Sequence, residues 1–211
     1  MNKCYFCHGE ATTKEHVPPK QLFPKDMRRN LITVPSCQLH NGLKSRDDDY
    51  LRFVLVGSLK DIKDKRFKSI LDKTIRSIER KPSLAVSFLK TLKHFDGLPS
   101  VEIDKKRLSY SYESIGRGIV FHEFGPIKVE LHTIDDYISF LSDDTQGKII
   151  GQEQSKALKE VTDEFFTNLD WKGTNPQVFS YQWVKIENFI FVKLKFYRTH
   201  EIVVQFSVVD Y

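Results

Sequence analysis

The sequence predicts an α+β protein built from three regions, and three observations carry that prediction. Within the first region, 1–57, residues 1–44 are rich in Pro, Cys, His and polar residues and hold all three cysteines of the chain. Residues 58–125 place apolar side chains at helical spacing, with lysines and arginines between them in the first half. From Gln177 onward, runs of Val, Ile, Phe and Tyr alternate with polar residues between short breaks, the pattern of an antiparallel meander.

In the first region, Leu31 to Val34 reads as a short strand ended by Pro35. Ser36 is placed to cap a helix that starts near Cys37 and runs through Asn41, Lys44 and Tyr50 to about Val56, with Gly42 as its weak point. In the second region, Ile62, Phe67, Ile70, Leu71, Ile75 and Ile78 mark a helix over Leu59–Arg80, broken by Lys81-Pro82-Ser83. A second amphipathic helix is expected over Ser83–Phe95, ended by Asp96-Gly97-Leu98-Pro99. A third spans Leu108–Phe124 despite Gly116 and Gly118, which each lower helix propensity. The third region, 126–211, is expected to open with a short helix over Thr133–Leu141, followed by a polar stretch over Asp143–Asp163. It closes with three antiparallel strands near Val178–Val184, Phe189–Tyr197 and Glu201–Val209, with turns at Glu187-Asn188 and around Arg198–His200.

Composition narrows the function classes. With 211 residues, 40% hydrophobic and 29% charged, the chain has the balance of a soluble globular protein. It has no apolar run long enough for a membrane span and no basic-then-apolar leader, so a cytoplasmic location is expected. An odd number of cysteines, clustered at one end, suits metal ligation in a reducing compartment better than a disulfide framework. Residues 1–97 hold 20 Lys/Arg against 11 Asp/Glu, whereas residues 98–211 hold 13 against 17. A basic half favours a polyanionic partner, nucleic acid first among them, although a solvated lysine-rich helix face produces the same count. No Gly-rich phosphate loop, Ser-His-Asp arrangement or helix-turn-helix signature is present.

The chemistry lies in the first 44 residues. Cys4-x2-Cys7 and Cys37-x2-His40 are two chelating pairs separated by 29 residues, and together they make a Cys3His ligand set for structural zinc. His8, beside Cys7, is a poorer alternative to His40. The two pairs bracket Glu15-His16, and Asn41 and Lys44 follow the second pair. Phosphodiester hydrolysis needs a metal for the leaving oxygen, a base for water and positive charge near phosphate. Glu15 and Asn41 offer the oxygen ligands that Mg²⁺ or Mn²⁺ takes, His16 has the pKa of a base near neutral pH, and Lys44 is placed to reach a phosphate.

The string C-x2-C … E-H-x-x-P … N-L … C-x2-H-N-x2-K resembles the HNH endonuclease family over about 55 residues. The resemblance implies a ββα-metal fold for residues 1–57, a catalytic metal held by Glu15 and Asn41, and His16 as general base. It further implies that Asn30 orients His16, and that DNA is cleaved to 5′-phosphate and 3′-hydroxyl ends. The chain departs from the family pattern at Glu15, where aspartate is usual, and at His40, where cysteine is usual. Asn30 also lies farther before Cys37 than the pattern places it. The departures at Glu15 and His40 keep open a non-catalytic zinc module that binds nucleic acid or protein, and an RNA-directed nuclease is a third expectation because the motif does not distinguish DNA from RNA. Asp48 and Asp49 read as a solvated acidic helix face, and Tyr181, Trp183, Phe191 and Tyr197 as core of the final sheet rather than base-stacking platforms.

Overall fold

The structure, a computed structural model, describes residues 3–42, 44–57, 65–80, 92–95, 98–101, 103–136, 160 and 162–209. Strands β1 (Thr13–Val17) and β2 (Ile32–Ser36) pair antiparallel with His16 opposite Thr33. Their connection holds two single-turn 3-10 segments, Lys20–Leu22 and Lys25–Met27. Helices α1 (Gln38–Asn41) and α2 (Ser45–Gly57) follow, so the expected single helix is interrupted just after Asn41, beside Gly42. Helix α3 covers Lys65–Arg80. Two short strands, β3 (Leu92–Phe95) and β4 (Leu98–Val101), pair with each other. Helix α4 (Lys105–Phe124) leads into β5 (Val129–Asp136), β6 (Lys172–Asn175), β7 (Phe179–Ile186), β8 (Phe189–Phe196) and β9 (His200–Val208).

The final sheet is five-stranded, in the order β5-β9-β8-β7-β6. The expected meander is its centre, β7-β8-β9, paired antiparallel in chain order. The two added edges correct the sequence expectation. Residues 133–136, expected to begin a short helix, belong to β5, which pairs along β9 with a register shift between Leu131 and Thr133. Strand β6 reads Lys-Gly-Thr-Asn and carries no apolar alternation, so only its pairing with β7 marks it as a strand. The helix expected over Ser83–Phe95 ends in contradiction too, because Leu92–Phe95 is a strand whose partner begins at Leu98, where a helix stop was expected. Residues 58–64, 81–91 and 137–159 lie outside the described residues, and with them fall the rest of that helix, the start of the helix before it and most of the polar stretch. No helix among the described residues is long and apolar enough to cross a membrane.

Helix α4 positions everything else. Asp104 caps it, its side chain accepting from the Arg107 N–H at 3.1 Å, and Gly125 ends it at φ 76°. Its buried residues include Leu108, Tyr112, Ile115, Ile119 and Val120. The glycines that weaken it as a helix are required by its neighbours. A Cβ on Gly116 would lie 2.9 Å from the Phe206 ring on β9, and one on Gly118 would lie 2.5 Å from Val17 Cγ2 on β1. Residues two apart on a helix point to nearly opposite sides. The helix is therefore pressed between the β1–β2 ribbon and the large sheet, and small residues at those two points allow the approach.

Polar bonds fasten the layers at their rims. Tyr181 Oη and Lys172 Nζ each donate to Glu123, at 2.7 Å, joining β7 and β6 to the end of α4. Tyr197 Oη donates to the Leu22 carbonyl at 2.9 Å, and Phe67 of α3 meets the Tyr197 ring edge-on at 5.5 Å. Tyr181 and Tyr197 are buried, as expected of core, while Trp183 is half-buried against Phe124.

Replacing Gly118 with alanine is expected to lower stability by about 2 kcal/mol, because a stiff β-branched side chain stands where the methyl must go. Thermal denaturation of Gly118→Ala checks this. Adding Val17→Ala should return part of the loss, and a variant as stable as wild type would contradict the packing described.

Candidate metal centre and the adjoining charge cluster

Local backbone geometry builds the first half-site. Cys4 N–H donates to the Gly9 carbonyl at 2.8 Å, and His8 N–H to the Cys4 carbonyl at 3.0 Å. The chain thus turns tightly enough to aim both sulfurs of Cys4-x2-Cys7 at one point. The second half-site is helical: Cys37 is the N-cap of α1, and His40 lies one turn later. Tyr5 N–H donates to the Pro35 carbonyl at 2.9 Å, which docks the knuckle on β2 just before Cys37.

The four ligand atoms of Cys4, Cys7, Cys37 and His40 lie within 4.8 Å of one another. Cys7 Sγ is 3.9 Å from Cys37 Sγ; His40 Nδ1 is 3.2 Å from Cys37 Sγ and 3.8 Å from Cys4 Sγ. A zinc ion with bonds of about 2.3 Å to sulfur and about 2.0 Å to nitrogen has ligand–ligand edges of about 3.5–3.8 Å. The cluster therefore has the composition and spacing to bind one metal ion such as zinc, and His8 is not part of it. Burial opposes ionisation of Cys4, but the backbone N–H groups of Cys7, Phe6 and Cys37 outweigh it and lower its pKa. Burial, with Arg117 and Lys44 nearby, lowers the pKa of His40 and keeps its imidazole in the neutral, ligating form. The ring is held by a stack on Phe6, 4.4 Å between centroids and 16° between planes, and Arg117 of α4 lies 4.8 Å from the Phe6 centroid.

Closing this cluster brings α1 and α2 against β1. The Asn41 amide nitrogen donates to Thr13 Oγ1 at 2.9 Å and to the Lys14 carbonyl at 3.1 Å. Lys14 and Pro35 are a non-hydrogen-bonded pair, since the Pro35 carbonyl turns away to Tyr5, so the Lys14 carbonyl points outward and is free to take the Asn41 bond. The amide nitrogen is thereby occupied and the amide oxygen is the atom left to act as a ligand. Glu15 is on the inner face of β1, 6% exposed, and meets α2. Lys44 Nζ lies 3.6 Å from Glu15 and 3.6 Å from Asp48, one turn further along. Two carboxylates and one ammonium share this buried space. Burial, with Asp48 close by, raises the Glu15 pKa to about 7 even though Lys44 opposes the shift. Tyr5 Oη is buried here and lacks a hydrogen-bond partner among the described residues, while Asp48 Oδ1 faces the Lys44 ammonium.

Three expectations change on this geometry. Lys44 does not extend to solvent for a phosphate; it is 2% exposed and lies between two carboxylates, Glu15 on β1 and Asp48 one turn along its own segment. Asp48 and Asp49 are buried rather than solvated, the first beside Lys44 and the second 3.3 Å from Arg52. The i,i+4 spacing of Lys44 and Asp48 was the available signal for the first pair. Asn30 is not bonded to His16. It is exposed in a left-handed turn at φ 54°, and its carbonyl accepts from Thr174.

His16 stands apart from Glu15. Strand alternation turns it to the outer face of β1, half-buried beside Thr33, while Glu15 faces α2. Burial, then the positive charge of Lys20 and Arg28, lowers its pKa, so the imidazole is neutral at neutral pH.

Removing a ligand should release the metal and loosen the region. In Cys37→Ser, zinc measured by elemental analysis is expected to fall from about one equivalent to well below it, with a large drop in Tm. Full zinc content in that variant would exclude Cys37 as a ligand. In Lys44→Met, two buried carboxylates lose their cation, and a loss of about 3 kcal/mol is expected in urea unfolding, part of it returned by adding Asp48→Asn. No family model, curated protein or solved structure matches this chain, so the chemistry of these two clusters carries the functional reading.

Proposed function

We propose that this chain is a zinc-stapled, Mg²⁺- or Mn²⁺-dependent endonuclease of the HNH kind that hydrolyses DNA phosphodiester bonds. The observation that carries the reading is the Cys4–Cys7–Cys37–His40 cluster, which ties a two-stranded ribbon to the helix after it and sets Asn41 against the strand holding Glu15 and His16. A ribbon followed by a helix is the order a ββα-metal module requires.

The donor set fits a hard cation. Glu15 and Asn41 offer oxygens, the cluster around Glu15 carries one more carboxylate than ammonium, and the buried Tyr5 hydroxyl there has no hydrogen-bond partner among the described residues. Glu15 and Asn41 would hold the ion, and Asp48 adds negative charge beside it. When bound, the ion would stabilise the charge growing on phosphate and on the departing 3′ oxygen. His16, neutral and flanked by Lys20 and Arg28, would take the proton of the attacking water while those two cations face the phosphate. Lys44 acts inside this scheme by holding Glu15 and Asp48 together, not by touching substrate.

One observation favours a second reading. Glu15 and His16 leave β1 on opposite faces, and the Lys44 ammonium already lies beside Glu15. A module with that arrangement and no catalytic metal would bind nucleic acid without cutting it.

Supercoiled plasmid incubated with Mg²⁺ or Mn²⁺ separates the two. A nuclease nicks or linearises it, EDTA stops the reaction, and His16→Ala lowers the rate by about 10²-fold or more while zinc content stays unchanged. Plasmid and RNA left intact by wild-type protein would exclude the nuclease and leave the binding module.

A further inference from the structure

We propose that the cleft between the β1–β2 ribbon and the end of α4 is the path of a single nucleic-acid strand, with Lys3 and Lys14 on its phosphates. The inference deepens the nucleic-acid reading above and rests on it, but it does not require cleavage.

The cleft has a volume of about 690 Å³ and is bounded by the N-terminal segment, both strands of the ribbon and the end of α4. Its floor is apolar, made by Val34, Pro35, Phe121 and Pro126. Its rim carries the exposed amines of Lys3 and Lys14 and the exposed hydroxyls of Thr12 and Thr33. None of the residues lining it is acidic. Neither amine has a carboxylate partner among the described residues, in contrast to Lys44, Lys172, Lys193 and Lys195, which all do. Two unpaired amines over an apolar floor complement a ligand with anionic groups along one side and flat apolar groups on the other. A single strand has that form, since its bases are free to lie on Phe121 and the prolines while its phosphates face the lysines. A duplex presents phosphates alone to such a surface and leaves the floor bare.

Position supports the same occupant. Lys14 and His16 are two residues apart on β1 and therefore share the outer face. His16 lies beyond the cleft along the strand, near Lys20 and Arg28. A strand seated on Lys3 and Lys14 would run on along β1 toward His16, where Lys20 and Arg28 add positive charge.

Binding of a labelled single-stranded oligothymidylate, followed by fluorescence anisotropy across a salt series, tests this. Three proteins are compared: wild type, the double variant Lys3→Gln/Lys14→Gln, and a control, Lys105→Gln/Lys106→Gln. The control removes the same charge from the opposite end of α4, about 24 Å away along the helix. The cleft variant is expected to bind about tenfold more weakly, and its slope of log K against log salt should be shallower by about 1.4, from two lost phosphate contacts. The control should match wild type, and zinc content should be equal in all three.

Equal losses in cleft and control variants would reduce the effect to net charge and overturn the proposal. Unchanged binding in the cleft variant, or no binding by wild type, would overturn it as well. Plasmid cleavage by the same proteins separates this from the nuclease reading. Cleaving wild type with an unaffected cleft variant removes the cleft and keeps the nuclease. Weakened binding in the cleft variant of a protein that never cleaves keeps the cleft and removes the nuclease.

Discussion

The constraint on which this structure depends is the double contact of α4. One helix must touch the β1–β2 ribbon on one side and the five-stranded sheet on the other. It does so through Gly118 against Val17 and Gly116 against Phe206. A side chain at either point would hold one layer off, and the layers are what bury the large apolar residues of the core. The loss in helix propensity, about 1 kcal/mol per glycine, is small beside the apolar area those contacts remove from water. Everything at the N-terminal end is then located relative to a fixed surface.

The metal ligands act on that fixed frame. Two segments separated by 29 residues in the chain meet at one point, and a zinc ion there would close the loop between them. Closure sets α1 and α2 against β1, and that contact determines the environment of every titratable group around it. Glu15 is buried on the ribbon face that also carries Val17, and Lys44 is buried between Glu15 and Asp48. His16 remains half-buried because it leaves the strand on the other side. The polar cluster is thus a consequence of the ribbon–helix contact, and its charge balance follows from which face each residue takes.

How much of this was legible in the sequence varies with the range of the interaction. The metal cluster was legible, because chelating pairs two residues apart have few other uses and no cysteine was left over. The C-terminal end of α4 and the central meander were legible too, from periodicity and turn residues, whereas α4 starts at Lys105, three residues before the expected Leu108. Strand β6 was not, since Lys172–Asn175 has no pattern and exists as a strand only through β7. Asp48 looked solvated because its neighbours are acidic, but it is buried beside Lys44, which also reaches Glu15 far back in the sequence. The role of Lys44 followed the motif in the sequence reading and the local field in the structure; two carboxylates at 3.6 Å decide it. The opposite orientations of Glu15 and His16 follow from strand alternation alone, but adjacency in the motif had grouped them together.

Arg117 makes the first 57 residues part of a larger unit. Its guanidinium donates to Glu113 at 2.8 Å and to the Val129 carbonyl at 2.6 Å, and it lies over Phe6, the ring that backs His40. A single side chain of α4 therefore spans the ligand shell and the first strand of the large sheet. A fragment cut after residue 57 would keep every metal ligand and yet lose the cover over Phe6 and the packing against Val17. The segment has the sequence of a portable module, but in this structure the ring behind His40 and the side chain of Val17 both rest on α4.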